Sequence, residues 1–149
     1  MERKEFIHLF GLGAAAVLTT GCLGGCSGSK GDDPTPGSSG PTGATSVDFT
    51  LDLTAPANAD LQDPAKGYVY GAGGQVIVAK TTAGTYLAVQ APCTHQGTAI
   101  LFQPGQGNFF CPNHGSQFNA DGTVANGPAA RPLKKYTVTQ TGNSLRVTS

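Results

Sequence analysis

Cys93-Thr94-His95-Gln96-Gly97 and Cys111-Pro112-Asn113-His114-Gly115-Ser116 each carry one thiol and one imidazole, with fifteen residues, 96–110, between His95 and Cys111. As thiolates and neutral imidazoles, Cys93, His95, Cys111 and His114 form a mixed sulfur–nitrogen ligand set for a transition metal. A structural zinc ion accepts two Cys and two His. Zinc fingers, however, usually place both cysteines on one knuckle and both histidines on a later one. Here each loop mixes the two types. That suits a binuclear iron site, with two thiolates on one iron and two imidazoles on the other.

The remaining residues offer no rival chemistry. There is no nucleophile–base pair, no open-site metal triad and no nucleotide fingerprint, and the third histidine, His8, lies in the leader. Gly71-Ala72-Gly73-Gly74 lacks the Lys-Ser/Thr of a phosphate loop and reads as a hairpin turn. Asp48 and Asp52 read as the solvated face of a strand rather than as a catalytic carboxylate pair. Only 12% of the 149 residues are charged, against about 25% in an average globular protein. Formal net charge is zero, and with no basic patch the chain has no means of gripping nucleic acid. The chain reads as an electron carrier and not an enzyme by itself.

Residues 1–26 form an export signal or membrane anchor: a short charged start is followed by seventeen uncharged residues, 9–25. Arg3-Lys4-Glu5-Phe6-Ile7 is similar to a twin-arginine export signal with Lys in the second place. Cys22 and Cys26 both follow small residues and resemble bacterial lipobox ends, so the membrane is reached through lipid or through an uncleaved N-terminal helix. Either route leaves an exported, bacterial-type protein whose domain faces the periplasm or the cell exterior. Residues 27–46 are Gly, Ser and Pro rich without a large apolar side chain, and so form a flexible linker. As a coil its twenty residues would span about 25 Å.

Residues 47–149 make the domain. Val47, Phe49, Leu51 and Leu53 alternate with Asp48, Thr50 and Asp52, the period of a half-buried strand. Further short strands are expected at 68–70, 75–79, 85–89, 98–102, 108–110, 117–118, 123–124, 136–140 and 144–148, with 58–66 a loop. Asp121-Gly122 and Thr141-Gly142-Asn143 supply hairpin turns. No helix of consequence appears in the pattern. The class is all-β.

The two boxes resemble those of the Rieske iron–sulfur proteins, and the resemblance covers residues 47–149. It implies a Rieske-type antiparallel β-sandwich with an inserted cluster-binding subdomain at about residues 92–128. It also implies one [2Fe-2S] cluster, with Cys93 and Cys111 on the inner iron and His95 and His114 on the outer. Two ferric ions, two sulfides and two cysteinates sum to zero charge, so an added electron is accepted more readily than by a four-cysteinate dianion. Two neutral imidazoles therefore lift the potential from about −400 mV to a range of about −150 to +300 mV. Gly97 and Gly115, without Cβ atoms, are expected to let backbone N–H groups approach the cluster. Ser116 matches the family position that bonds a bridging sulfide, and Asn126-Gly127-Pro128 resembles the loop that covers the cluster from a third side.

The sequence departs from the members found in cytochrome bc complexes. Thr98 and Asn113 stand where those carry a disulfide between the boxes. Phe118 replaces a sulfur-bonding Tyr, and Gln96 an apolar Leu. An exported, lipoprotein-like member lacking that disulfide is implied, with a potential around zero to +150 mV. Its donor and acceptor proteins are not named by the sequence. A redox subunit of a larger exported oxidoreductase or quinol-oxidising complex is the alternative, and a non-catalytic iron–sulfur lipoprotein a third.

Overall fold

The computed structural model describes residues 40–149; the leader, Cys22, Cys26 and most of the linker lie outside the described residues. Ten short strands follow in order: β1 (Asp48–Asp52), β2 (Tyr68–Gly71), β3 (Val76–Lys80), β4 (Tyr86–Gln90), β5 (Leu101–Gln103), β6 (Asn108–Phe110), β7 (Gln117–Asn119), β8 (Val124–Asn126), β9 (Lys135–Thr141) and β10 (Ser144–Thr148). Every pairing is antiparallel. The order is β1-β10-β9-β4-β3-β2 in a six-stranded sheet and β5-β6-β7-β8 in a four-stranded one. The all-β antiparallel expectation is met.

β4 and β9 are hydrogen-bonded neighbours, Ala88 opposite Tyr136 and Val89 opposite Lys135, yet residues 91–134 lie between them in sequence. That stretch carries the whole second sheet, so it is an insertion into the first. The chain regains the larger sheet only at Lys135, later than the 92–128 that the resemblance implies.

The run Val76-Ile77-Val78-Ala79 shows no alternation because both faces of β3 are buried. Val76, Val78 and, on β4, Ala88 face one apolar cluster with Leu61, Leu145 and Val147. Ile77, Ala79 and Val89 face a second with Ile100, Phe102, Phe109 and Phe118, which also contains Cys93 and Cys111. β3 and β4 are thus a wall shared by the base and the insertion. Each large apolar side chain buried against it contributes about 1.5–3 kcal/mol.

Three differences from the sequence reading have local causes. The strand expected at 98–102 is confined to Leu101–Gln103, because Thr98 gives its carbonyl to the Cys93 N–H at 2.8 Å and Ile100 donates to Ala91 O at 2.9 Å. The expected loop at 58–66 begins inside a 3₁₀ turn, Pro56–Leu61, that ends on the buried Leu61. Residues 40–46, which composition groups with the linker, are bonded to the domain: Ala44 O accepts from Lys134 Nζ at 2.7 Å and from the Tyr136 hydroxyl at 3.1 Å.

Tyr70 on edge strand β2 ties base to insertion, its hydroxyl donating to Ile100 O at 2.7 Å. Burial, aided by Tyr68, pushes its ionisation from 10.0 up to about 12. The folded state therefore favours the protonated phenol, and the stability this gives is present below pH 10 and lost as pH rises through about 12. Replacing Tyr70 by Phe should cost about 1 kcal/mol at neutral pH and flatten the alkaline fall in stability. Urea unfolding at neutral and alkaline pH checks both.

Candidate metal centre

The two boxes fold into near-identical turns. Cys93 N–H donates to Thr98 O at 2.8 Å and Gly97 N–H to Cys93 O at 2.8 Å; Cys111 N–H donates to Ser116 O at 2.9 Å and Gly115 N–H to Cys111 O at 3.0 Å. Each turn runs from a Cys to a Gly four residues on, and both glycines sit at φ +78°. Only glycine enters that left-handed region without strain. A Cβ at Gly115 would meet nothing within 4 Å, and one at Gly97 only the Pro41 ring at 3.7 Å. The requirement is conformational, and the glycine N–H groups are spent on carbonyls. The backbone N–H groups of His95 and Gln96 favour the Cys93 thiolate.

Hairpin β6–β7 carries the second turn between its strands, and β5 follows the first. Phe109 and Phe118 face each other across β6–β7 and pack, with Ile100, against both cysteines. The sulfurs are sealed: Cys93 is 0% and Cys111 1% exposed, and neither forms a disulfide. Burial pushes the Cys93 thiol up, opposed by the His95 N–H, while the neighbouring Cys111 sulfur adds to the rise. Thiolates at this depth form only with a cation to receive them.

The imidazoles lie outward, His95 half-buried and His114 exposed. Their Nδ1 atoms face one another at 3.2 Å, with ring planes 81° apart. Two nitrogens bound at about 2.0–2.1 Å to one tetrahedral ion stand about 3.3 Å apart, so the pair is already spaced for a shared metal. Among the described residues no three His, Cys, Asp or Glu side chains converge on a single ion. Sulfur is paired with sulfur and nitrogen with nitrogen, which fits a binuclear centre and not one zinc.

Ser116 is fully buried, and its Oγ accepts the Ala129 N–H at 3.0 Å. It therefore fastens the 126–128 loop to the second turn and keeps its own proton for a further acceptor. Gln96, Pro112, Asn113, Gly127 and Pro128 form an exposed, uncharged rim. Phe118, where a Tyr hydroxyl was lacking, is wholly core. Three residues escaped the sequence reading. Thr94, between two ligand-type residues, is buried and donates through Oγ1 to Arg131 O at 2.7 Å. Gln90 is buried at the end of β4, and Arg131 lies 37 positions beyond its partner Thr94. Nothing in their local sequence marks them, since their partners are distant in the chain.

The Rieske [2Fe-2S] domain family matches residues 53–137. This chain belongs to the Rieske [2Fe-2S] family. It carries one [2Fe-2S] cluster. The Nicotiana tabacum cytochrome b6-f complex iron-sulfur subunit 1, chloroplastic, is 32% identical over 152 residues, covering 89% of this chain and 60% of that protein. The Synechococcus sp. (strain JA-3-3Ab) cytochrome b6-f complex iron-sulfur subunit is 41% identical over 58 residues, covering 39% and 34%. This chain thus spans about 60% of the length of the first of these relatives. The cyanobacterial plasma membrane Rieske protein PetC3 from Synechocystis PCC 6803 superposes with a TM-score of 0.54 at 31% identity, covering 68% of this chain and 99% of that one.

Replacing Ser116 by Ala leaves the buried Ala129 N–H without an acceptor. Stability should fall by about 1–3 kcal/mol, read from chemical denaturation, and the 126–128 loop should become the first site of proteolysis.

Proposed function

We propose that this Rieske protein is a membrane-attached, extracytoplasmic carrier of single electrons, with Cys93 and Cys111 as ligands of the inner iron and His95 and His114 as ligands of the outer. The observation that carries the reading is the division of the site: sulfurs sealed in the apolar core, imidazoles paired at the surface. When bound, the cluster supplies one reversible electron at a potential raised by its two neutral ligands. The protein's part is to exclude water from the sulfur side with Phe109, Phe118 and Ile100 and to present the far edges of His95 and His114 to a partner. Nδ1 faces inward on both rings, so a proton at Nε2 can leave or return as the electron does.

Attachment rests on residues 1–26, which read as an export signal with Cys22 or Cys26 as lipidation site. Among the described residues no helix is long and apolar enough to cross a membrane. Similarity to subunits of cytochrome b6-f complexes over 89% of the chain favours a second reading, a redox subunit of a larger complex. Thr98, Asn113 and Gln96 in the boxes depart from the pattern of quinol-oxidising complexes and favour the first.

No Asp, Glu, Lys or Arg occurs from Thr81 to Ala120, so the two boxes themselves bring no carboxylate or cationic side chain to steer a partner. The rate of oxidation of the reduced protein by ferricyanide should change less than about twofold between low and physiological salt, where charged docking faces change it by an order of magnitude or more. Redox titration tests the proton coupling: the potential should fall between pH 6 and pH 10, approaching about 59 mV per pH unit where one proton accompanies the electron. A potential flat across that interval contradicts the assignment of two outward imidazoles to the iron.

A further inference from the structure

The last residues before β1 run across the back of the first cluster turn, and their carbonyls are taken by side chains of the domain. Arg131 directs its guanidinium to Gly40 O and, at 3.4 Å, to Pro41 O. Gln90 Nε2 donates to Pro41 O at 3.2 Å and to Pro92 O at 2.7 Å, while its Oε1 accepts the Lys134 N–H at 3.0 Å. Lys134 and Tyr136 then hold Ala44 O. The two residues that flank Cys93 are fastened to the same two groups: Pro92 through the Gln90 amide, and Thr94 through its hydroxyl on Arg131 O. A Cβ placed on Gly97 would meet the Pro41 ring, so the segment also borders the far end of the turn.

We infer that residues 40–44 are a clamp on the first cluster turn, and that Gln90 and Arg131 are positioning residues that join the clamp to the residues on either side of Cys93. Among the described residues no such segment crosses the second turn, whose tie to a neighbouring loop is the Ala129 N–H donated to Ser116 Oγ. Both turns are closed at the base by an antiparallel pair, but Phe110 and Gln117 belong to the three-residue ladder of β6 and β7, whereas Pro92 and Ala99 form an isolated bridge. A turn closed by a single bridge leans more on restraint from outside it. Gln90 is completely buried, so its bonds form away from competing water. The orientation of His95 therefore depends on a segment that composition assigns to the tether, and a pull along the tether reaches the outer ligand of one turn and not of the other. The ligand role of His95 rests on the reading above; the clamp does not.

Amide hydrogen exchange on the purified full-length protein, with and without its cluster, tests the inference. Gln90→Glu keeps the acceptor for Lys134 N–H but removes the donor shared by Pro41 and Pro92. Arg131→Leu releases Gly40, leaving Pro41 to Gln90 alone, and keeps the residue-131 carbonyl in place for Thr94. Each variant should speed exchange of residues 94–97 at least tenfold, leave 112–116 within twofold of the parent, and shift the g-values of the reduced protein. Unchanged exchange at 94–97 in either folded variant overturns the inference, as does an equal rise in both turns, which would mean general loosening. If Gln90→Glu fails to fold, Arg131→Leu decides alone. Exchange is read without electron transfer or a membrane, so the clamp and the carrier function fail or stand separately.

Discussion

Two sulfurs must be kept from water while two nitrogens a few ångströms away must be kept within reach of it. That opposition governs the insertion. Cys93 and Cys111 sit in one apolar cluster with Phe109, Phe118 and Ile100, and each turn then has only two or three residues in which to climb to a surface imidazole. The chain does this twice with the same device: a Cys N–H closed on the carbonyl five residues ahead, and a Gly N–H closed back on the Cys carbonyl. Because both glycines share φ +78°, the two turns end alike although His stands two residues after Cys in one and three in the other.

The base sheet's contribution is rigidity. β3 and the second half of β4 are buried on both faces and stand between two apolar clusters. The first turn begins three residues after Gln90, the last residue of β4, so the wall, the clamp and the turn share a common root. Tyr70 adds a second tie from β2 to Ile100. The insertion is therefore held to the base at several points rather than hinged at one, which keeps the imidazole pair at a fixed place on the domain surface.

Much of this was legible in the sequence, for identifiable reasons. The Cys and His spacing announces a mixed ligand set, and alternation from Val47 to Leu53 announces β1. Asp121-Gly122 marks a turn whose Gly122 stands at φ +84°. What stayed hidden depends on contacts between residues far apart in the chain. Gln90 looks like a polar residue ending a strand, Arg131 like a loop cation and Thr94 like a spacer. Residues 40–46 have a linker's composition because they are held by their carbonyls, and carbonyls are the same in every residue. The glycines were legible as necessary but not in their use: their N–H groups close the turns on the Cys93 and Cys111 carbonyls.

The central claim is that the paired imidazoles, His95 and His114, both ligate one iron of a cluster whose other iron is held by the buried thiolates. Pulsed electron paramagnetic resonance of the reduced, full-length protein tests it most directly. The account predicts couplings from two imidazole nitrogens, reduced to one when His114 is replaced by Cys. A paramagnetic centre without nitrogen coupling, or one whose two couplings survive that replacement, would contradict it.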